Sequence, residues 1–300
     1  MGKKKREKQS NVGICALCKN ESNLEGSHII PKFVFKHLKN DTFTKRLKKA
    51  GEPNRPLQDG PKERLLCGKC EDLFSVYETS FSTKIFHPFH KNELNRRIVY
   101  DGDWLNKFIT SVNWRVLYTN LESQPTEQNP IKKFTAEEIK ILSSVSELMR
   151  AYLLNELSNL YYLENHIIFY NENFVANHVF KNPHATIFGS IYGVPLVFEK
   201  ENSMYILTNL SGILIVTIIK AHPKEVWINT QVQNGSGILN LRQDFLSPII
   251  KALKGTEASG RKYAKEISPN QYKKIQELIK KDPNGFIKSN SFKRSAMSIK

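Results

Sequence analysis

The sequence predicts an α+β fold in which an N-terminal zinc module is followed by helices packed on an antiparallel sheet. Three observations support this class. The four cysteines of the chain form two CxxC pairs, at 15–18 and 67–70. Apolar residues recur at helical spacing from 103 to 165, and β-rich runs separated by Asn, Gly and Pro begin near 166. With 300 residues, 40% of them hydrophobic, the chain can form one large or two ordinary domains.

Positive charge is concentrated at the two ends of the chain, which has a net charge of +16. Residues 1–70 carry 17 Lys and Arg against 7 Asp and Glu, and residues 254–300 carry 12 against 4. Residues 71–253 are nearly neutral, with 16 against 18. A positive field of this kind attracts polyanions. We therefore expect nucleic acid as a partner, in preference to lysines that serve solubility alone, because the basic ends coincide with the cysteine motif.

No apolar run is long enough for a membrane-spanning helix, which needs about 18 to 20 residues. The nearest stretch, YILTNLSGILIVTIIK at 205–220, is interrupted by Asn, Ser and Gly and predicts two buried strands around a turn. The first residues, MGKKKREKQS, lack the apolar core of a secretion signal. We expect a cytoplasmic protein without a membrane partner.

The cysteines Cys15, Cys18, Cys67 and Cys70 predict a structural zinc site. Two residues between cysteines let both sulfurs reach one ion, and four thiolates complete its tetrahedron. A disulfide or redox pair is the less favoured alternative, because redox CxxC motifs rarely occur twice in one chain. Four thiolates leave no open position for chemistry, so this site is a scaffold and a reaction would have to use other residues.

His28 lies between the two cysteine pairs, in the stretch LEGSHIIP at 24–31. This stretch predicts a short strand that turns at Pro31 and continues as a helix whose later face is basic, with Lys36 and Lys39. A single histidine at the edge of a strand is often purely structural. The residues alone leave a structural and a functional role for His28 open.

The combined pattern resembles the zinc-bracketed branch of the HNH endonucleases, which have the ββα-metal (treble-clef, His-Me finger) fold. The resemblance rests on CALC, the SHIIP strand, a loop and LLCGKCE opening a helix, and it covers roughly residues 11–82. It implies that His28 is the general base that takes a proton from the attacking water. It also implies a divalent ion, Mg²⁺ or Mn²⁺, beside the phosphate. The expected reaction is phosphodiester hydrolysis, with DNA as the expected substrate.

The sequence departs from the family pattern at three positions that concern the second ion and the base. Ser27 stands where the family commonly has an acidic ligand, and Glu71 stands where it has Asn or His. The loop asparagine that orients the base corresponds loosely to Asn54. We expect Glu71 to hold the ion and Asp59 to supply a second carboxylate. The alternative role for Glu71 is to stabilise a helix N-terminus, worth about 0.3–1 kcal/mol.

Two further features surround this expected site. Glu78 lies two turns beyond Glu71 on the same helical face and is either a further ligand or a salt-bridge partner. The stretch 36–55 carries seven Lys and Arg against two acids, and we expect it to contact phosphates rather than to be only a solvated helix and turn. Phosphate contacts carry no base code, so they predict no sequence preference.

The rest of the chain predicts an α+β region without a recognisable catalytic motif. His87 and His90 are three residues apart, but Pro88 is expected to break the helix there, and the neighbouring phenylalanines to pack in the core. Asp103 is the expected cap of one helix, and Thr135 with Glu138 has the spacing of a capping box. Helices are also expected near 242–253 and 268–281. The predicted divisions are a basic tail at 1–10, a nuclease module at 11–82, an α+β domain at 83–281 and a disordered tail at 282–300.

The sequence thus predicts an HNH-type nuclease joined to a domain, residues 83–281, that recognises an activating protein, a small signal or a nucleic-acid shape. The resemblance implies a place in bacterial anti-phage or mobile-element systems. Two other hypotheses stay open. One is a zinc module that binds nucleic acid without cutting it. The other is a protein-interaction unit in which the zinc motif is only a structural cap.

Overall fold

The chain begins with a small antiparallel sheet flanked by helices; the computed structural model describes residues 11–123, 134–170 and 184–296. Strands β1, β2 and β5 form this sheet in the order β1-β2-β5, and β3 pairs with β4 in a separate hairpin. The elements are β1 (Val12–Ile14), β2 (Glu21–His28), α1 (Lys32–Asp41), β3 (Leu47–Lys49), β4 (Glu52–Leu57), β5 (Lys62–Cys67) and α2 (Gly68–Phe81).

The turn between β1 and β2 contains the first cysteine pair. Lys19 adopts a left-handed conformation, with φ of 61°, and its N–H donates to the carbonyl of Cys15 at 2.9 Å. The N–H of Ala16 donates to the carbonyl of Leu65 at 2.9 Å, which fixes the turn against β5. Because β5 ends at Cys67, strand pairing brings together two cysteine pairs that are far apart in sequence.

A second, larger antiparallel sheet follows, in the order β7-β10-β9-β8. The predicted pair of strands within 205–220 is confirmed, with the turn at Ser211 (φ 57°) and Gly212 (φ 107°). The further elements are α3 (His87–His90), β6 (Arg97–Tyr100), α4 (Trp104–Glu122), α5 (Ala136–Leu153), β7 (Glu164–Phe169), β8 (Ile191–Phe198), β9 (Ser203–Leu210), β10 (Ile213–Lys220), β11 (Val226–Ile228), β12 (Gly237–Asn240), β13 (Asp244–Leu246), α6 (Ile249–Lys265), α7 (Pro269–Lys281), α8 (Pro283–Lys288) and α9 (Asn290–Ala296), with π-helical turns at Ser82–Phe86 and His184–Phe188.

The central strands β9 and β10 are buried on both faces. Ile206 and Ile215 belong to the large core that includes α4, whereas Leu207 and Leu214 belong to a second core with Phe245 and residues of α6. Successive residues of a strand point to opposite faces, so two covered faces require a continuous apolar run. The predicted mixed fold, with helices packed on an antiparallel sheet, is confirmed.

Helix α4 is buried on all sides from Leu105 to Leu117, which exceeds the single apolar face that its pattern predicts. Several of its buried polar side chains hydrogen-bond within the protein. The amide of Asn113 donates to Thr217 Oγ1 and accepts from Thr208 Oγ1, both at 2.8 Å. Buried polar groups with partners on both sides fix one packing arrangement, so these bonds set the register of α4 on the sheet.

The predicted cap is confirmed in position, because Asp103 is the N-cap residue of α4, but its side chain makes no capping hydrogen bond. Its carboxylate accepts a hydrogen bond from the hydroxyl of Tyr152 through Oδ2, and one from the N–H of Gly235 at 3.2 Å through Oδ1. Both oxygens of the Asp103 carboxylate thus bind Tyr152 and Gly235 rather than the first N–H groups of α4.

Three predicted boundaries also differ from the structure. Pro88 lies in the first turn of α3, where its missing N–H breaks no helical bond, so the chain continues as helix beyond α2. The helix predicted at 242–253 begins only at Ile249, after β13. Residues 283–296 form α8 and α9 instead of a disordered tail. The predicted basic tail, 1–10, lies outside the described residues.

Helix α5 begins with the predicted capping box. Thr135 Oγ1 accepts from the N–H of Glu138 at 3.2 Å, and Glu138 Oε2 accepts from the N–H of Thr135 at 2.7 Å. We expect Thr135→Ala to lower the free energy of unfolding by about 1 kcal/mol, because it leaves a helix N–H without its partner. Urea denaturation measures this difference. Thr135→Ser keeps the hydroxyl and should stay close to the parent; equal losses for both variants would argue against the cap.

Candidate metal centre and active site

The four cysteines converge on one point. The sulfurs of Cys15, Cys18, Cys67 and Cys70 all lie within 4.8 Å of one another, and those of Cys18 and Cys67 are 3.8 Å apart. A tetrahedron with Zn–S bonds of about 2.3 Å has sulfurs about 3.8 Å apart. All four thiols are free rather than disulfide-bonded. The predicted cluster is confirmed, and its donor set fits a metal ion such as zinc.

Backbone N–H groups favour the ionised form of one thiol of this cluster, Cys15. Burial opposes ionisation of Cys15, but N–H groups of Cys18, Cys67 and Leu17 offset it and lower the pKa of Cys15 to about 7. The N–H of Cys67 lies 3.4 Å from the sulfur of Cys15. Burial and the neighbouring thiols raise the pKa of Cys70. One thiol therefore ionises readily, and a bound divalent ion would displace the remaining protons.

His28 is the last residue of β2, and its ring faces Asp59. Nε2 of His28 lies 3.0 Å from Oδ2 of Asp59, where it is shielded from solvent and out of line for a hydrogen bond. The contact is an ion pair only when the imidazole is protonated. The His28 side chain is 14% exposed, so part of the ring still reaches the surface.

Asp59 is held in its ionised form. Burial opposes ionisation, but Lys62 Nζ at 2.9 Å from Oδ2 and the Gly60 N–H at 2.9 Å from Oδ1 offset it, and the pKa of Asp59 falls to about 2. An ionised carboxylate beside Nε2 of His28 favours a proton on that nitrogen, because two lone pairs would repel. The neutral ring then has Nδ1 as its proton acceptor.

A buried arginine of α4 holds the backbone at His28. Arg115 is 1% exposed, and its Nη1 donates to the carbonyl of His28 at 2.7 Å. Its Nη2 donates to Oε1 of Glu78 at 2.7 Å, and its Nε donates to the carbonyl of Ser111 at 3.2 Å. One guanidinium thus joins the end of β2 to α2 and α4. The only sequence signal for this role is a charged residue inside a helical run that is otherwise suited to burial.

The acidic residues predicted to hold a catalytic ion do not gather around one point. Glu78 is the counterion of Arg115, which agrees with the salt-bridge alternative. Glu71 lies in the first turn of α2, with Oε1 buried and without a hydrogen-bond partner among the described residues. Within 11–123, 134–170 and 184–296, the four cysteines are the only set of three or more His, Cys, Asp or Glu ligand atoms close enough to share an ion.

The structure gives Ser27 and Asn54 surroundings that the sequence did not indicate. Ser27 is 1% exposed, and its hydroxyl has no hydrogen-bond partner in the described part of the chain. Asn54 belongs to strand β4 rather than to a loop, and its amide bonds to the backbone of Glu266 and Ser268. Its role of orienting His28 stays a prediction that no contact in the structure supports.

The pair His87 and His90 belongs to a packed aromatic group, as predicted. Phe86 and Phe89 are buried, and the ring of His90 lies 3.8 Å from that of His37 between centroids. A depression of about 480 Å³ lies elsewhere, on the ribbon formed by β11 and β13. None of its lining residues belongs to the N-terminal sheet or its helices: they are Val226, Ile228, Asp244, Phe245, Leu246, Ile250 and Lys254.

Comparisons of the chain with protein-family models, with curated proteins and with solved structures found no significant match. Among the described residues, no helix combines the length and the apolar character that crossing a membrane requires.

Proposed function

We propose that the chain is a metal-dependent HNH-type endonuclease that hydrolyses phosphodiester bonds, with DNA as the expected substrate and His28 as the general base. The observation that carries the proposal is the pairing of His28 with an ionised carboxylate at the end of a strand that also borders the four-cysteine cluster. The basic stretch 36–55 lies in the connection between β2 and β5, which supports a polyanionic substrate.

The residues around His28 have separate roles in this proposal. Asp59 orients the imidazole and favours the tautomer in which Nδ1 accepts a proton from water. Arg115 fixes the backbone carbonyl of His28. The cysteine cluster fixes β2, which carries His28, against β5, which follows the turn that carries Asp59.

A divalent cation, Mg²⁺ or Mn²⁺, would supply positive charge beside the phosphate and the leaving oxygen. In this chain either Asp59 or Glu71 would offer it a carboxylate oxygen, because the two do not gather around one point with His28. Mg²⁺ commonly uses one or two carboxylates together with waters and substrate phosphates. Glu78 is not proposed as a ligand, because its carboxylate is committed to Arg115.

Replacement of the base tests the proposal. We expect the zinc-loaded wild type to nick supercoiled plasmid in Mg²⁺ or Mn²⁺, and His28→Ala to lower the nicking rate by about 10²- to 10⁴-fold, the usual range for loss of a general base. Gel densitometry of nicked and linear plasmid measures the rate. His87→Ala, which removes an exposed histidine, is the matched control. Equal rates for wild type and His28→Ala would remove His28 from the mechanism.

The second candidate function is a non-catalytic zinc-stabilised module that binds nucleic acid or a protein. It is favoured by the absence, among described residues, of a third ligand atom grouped with His28 and Asp59. It predicts binding without nicking of plasmid, single-stranded DNA or RNA in either metal. Under both functions, residues 83–281 are proposed to recognise an activating protein or a small signal, and anti-phage defence is the proposed context.

A further inference from the structure

The two basic ends of the chain meet in space, although some 200 residues separate them. Asn54 of β4 accepts a hydrogen bond from the N–H of Ser268 at 2.7 Å and donates one to the carbonyl of Glu266 at 3.0 Å. Ser268 is the N-cap of α7, where its hydroxyl accepts from the N–H of Gln271. The start of α7 is therefore tied to the hairpin formed by β3 and β4.

A second group of contacts fixes α8 and α9 to the same region. The ring of Phe43 meets that of Phe286 edge-on, with centroids 5.3 Å apart. The N–H of Phe43 donates to Ser291 Oγ at 3.1 Å, and the amide of Asn290 donates to the carboxylate of Asp41. Contacts at both ends of the segment show that α7, α8 and α9 lie along residues 41–54.

Helix α7 has a regular row of positive charge. Lys273 and Lys274 are followed seven residues later by Lys280 and Lys281, and all four are exposed. Seven residues make about two turns, so the two pairs share a helical face about 10 Å apart. None of the four forms an ion pair with an acid in the described part of the chain. These charges are therefore free to meet an external anion.

The adjoining stretch 36–55 contributes cations of its own. Lys36, Arg46 and Lys48 are exposed and have no acidic partner within the described residues. By contrast, Lys49 is neutralised by Glu52 at 2.6 Å. The free cations of 36–55, which belong to the connection that leads from His28 to Asp59, and those of α7 are thus brought to one part of the molecule.

We infer that α7–α9 and residues 36–55 together form one surface that binds the sugar-phosphate backbone of a nucleic acid. This inference rests on the proposed function for its substrate class and deepens it by naming where the substrate is held. Flexible lysines contact phosphates as point charges, so the surface binds with little sequence preference. The proposed occupant is a DNA duplex; an anionic lipid surface is the rival, because Tyr272 and Leu278 of α7 are 57% and 39% exposed.

The test removes the row of lysines in a chain that cannot cut. In the zinc-loaded full chain carrying His28→Ala, Lys273, Lys274, Lys280 and Lys281 are all changed to Gln. We expect affinity for a labelled duplex to fall on the order of 100-fold near 0.1 M salt, and the slope of log K against log salt to shrink by about 3 to 4, because four released counterions are lost. Fluorescence anisotropy across a salt series gives both quantities.

The matched control changes four exposed lysines of the near-neutral region to Gln: Lys91, Lys140, Lys200 and Lys224. It removes the same charge and should change affinity by no more than about threefold, because it removes no phosphate contact. Equal weakening by both variants would mean that only net charge matters, and the inference would be overturned. Unchanged binding by the α7 variant would also overturn it.

Two further measurements complete the design. Co-sedimentation with vesicles of phosphatidylserine and phosphatidylcholine should show no loss specific to the α7 variant; loss from vesicles with unchanged duplex binding would favour lipid instead. Phe286→Ala, which removes the contact with Phe43, should weaken duplex binding without changing any charge. The nuclease proposal is tested separately, by plasmid nicking with the chain that retains His28. Absence of nicking would contradict that proposal without affecting the result for duplex binding.

Discussion

Removal of the metal from the four-cysteine cluster should unfold residues 11–82 while the larger sheet remains folded. Strand β1 has three residues, none of them buried, and the only buried residue of β2 is Ser27, so the N-terminal sheet buries little apolar surface through these two strands. Structural zinc contributes on the order of 10 kcal/mol or more to such modules, because a preformed site does not exist in the unfolded chain. Hydrogen exchange read by mass spectrometry should show loss of protection in β2, β5 and α2 after chelation, with β9 and β10 still protected.

The cysteine variants sharpen this prediction. Cys67→Ser removes one ligand and should reproduce the effect of the chelator, with less than one zinc per chain in native mass spectrometry. Ser75→Ala, an exposed change on α2, is the control and should retain one zinc and full protection. If the chelated protein kept its protection at β2 and β5, the cluster would not be what holds these strands.

Arg115→Met should lower the free energy of unfolding by about 3–5 kcal/mol. The change leaves the carboxylate of Glu78, which is 22% exposed, and the carbonyl of His28 without their partner, and removing one side of a largely buried ion pair is strongly destabilising. Guanidinium denaturation of the zinc-loaded chain measures the loss. In the same variant the nicking rate should fall, since the strand end that carries His28 is no longer fixed.

Two companion variants separate charge from geometry. Arg115→Lys keeps the charge but cannot reach both acceptors with one planar group, so we expect it to recover only part of the stability. Adding Glu78→Gln to Arg115→Met removes the unpaired charge. The double variant should therefore lose less free energy of unfolding than the sum of the losses of the two single variants. A denaturation midpoint for Arg115→Met equal to that of wild type would show that this ion pair contributes no net stability.

The metal centre could be predicted from sequence because CxxC spacing places two sulfurs on one ion regardless of what surrounds them. Local sequence also predicted strands β9 and β10 and the capping box at Thr135, because each depends on residues that are neighbours in the chain and on burial. His28 was singled out by its position between the cysteine pairs, and the structure places it beside Asp59 as an acidic neighbour.

The remaining features depend on contacts between segments that are distant in sequence. Arg115 lies 87 residues from His28, and no local pattern indicates that α4 would reach the end of β2. The same holds for Asn54, whose partners lie more than 200 residues away in the chain. Glu78 had two possible roles on its own helix, and only the packing of α4 against α2 decided between them.

The guanidinium of Arg115 also has a consequence for the order in which the protein is made. The cysteine pairs and His28 are synthesised before residue 115. Until then, the N-terminal module lacks the side chain that binds the carbonyl of His28. The end of the strand is locked only after the central helix emerges and docks. A chain truncated before residue 115 would therefore lack the hydrogen bond that Arg115 donates to the carbonyl of His28.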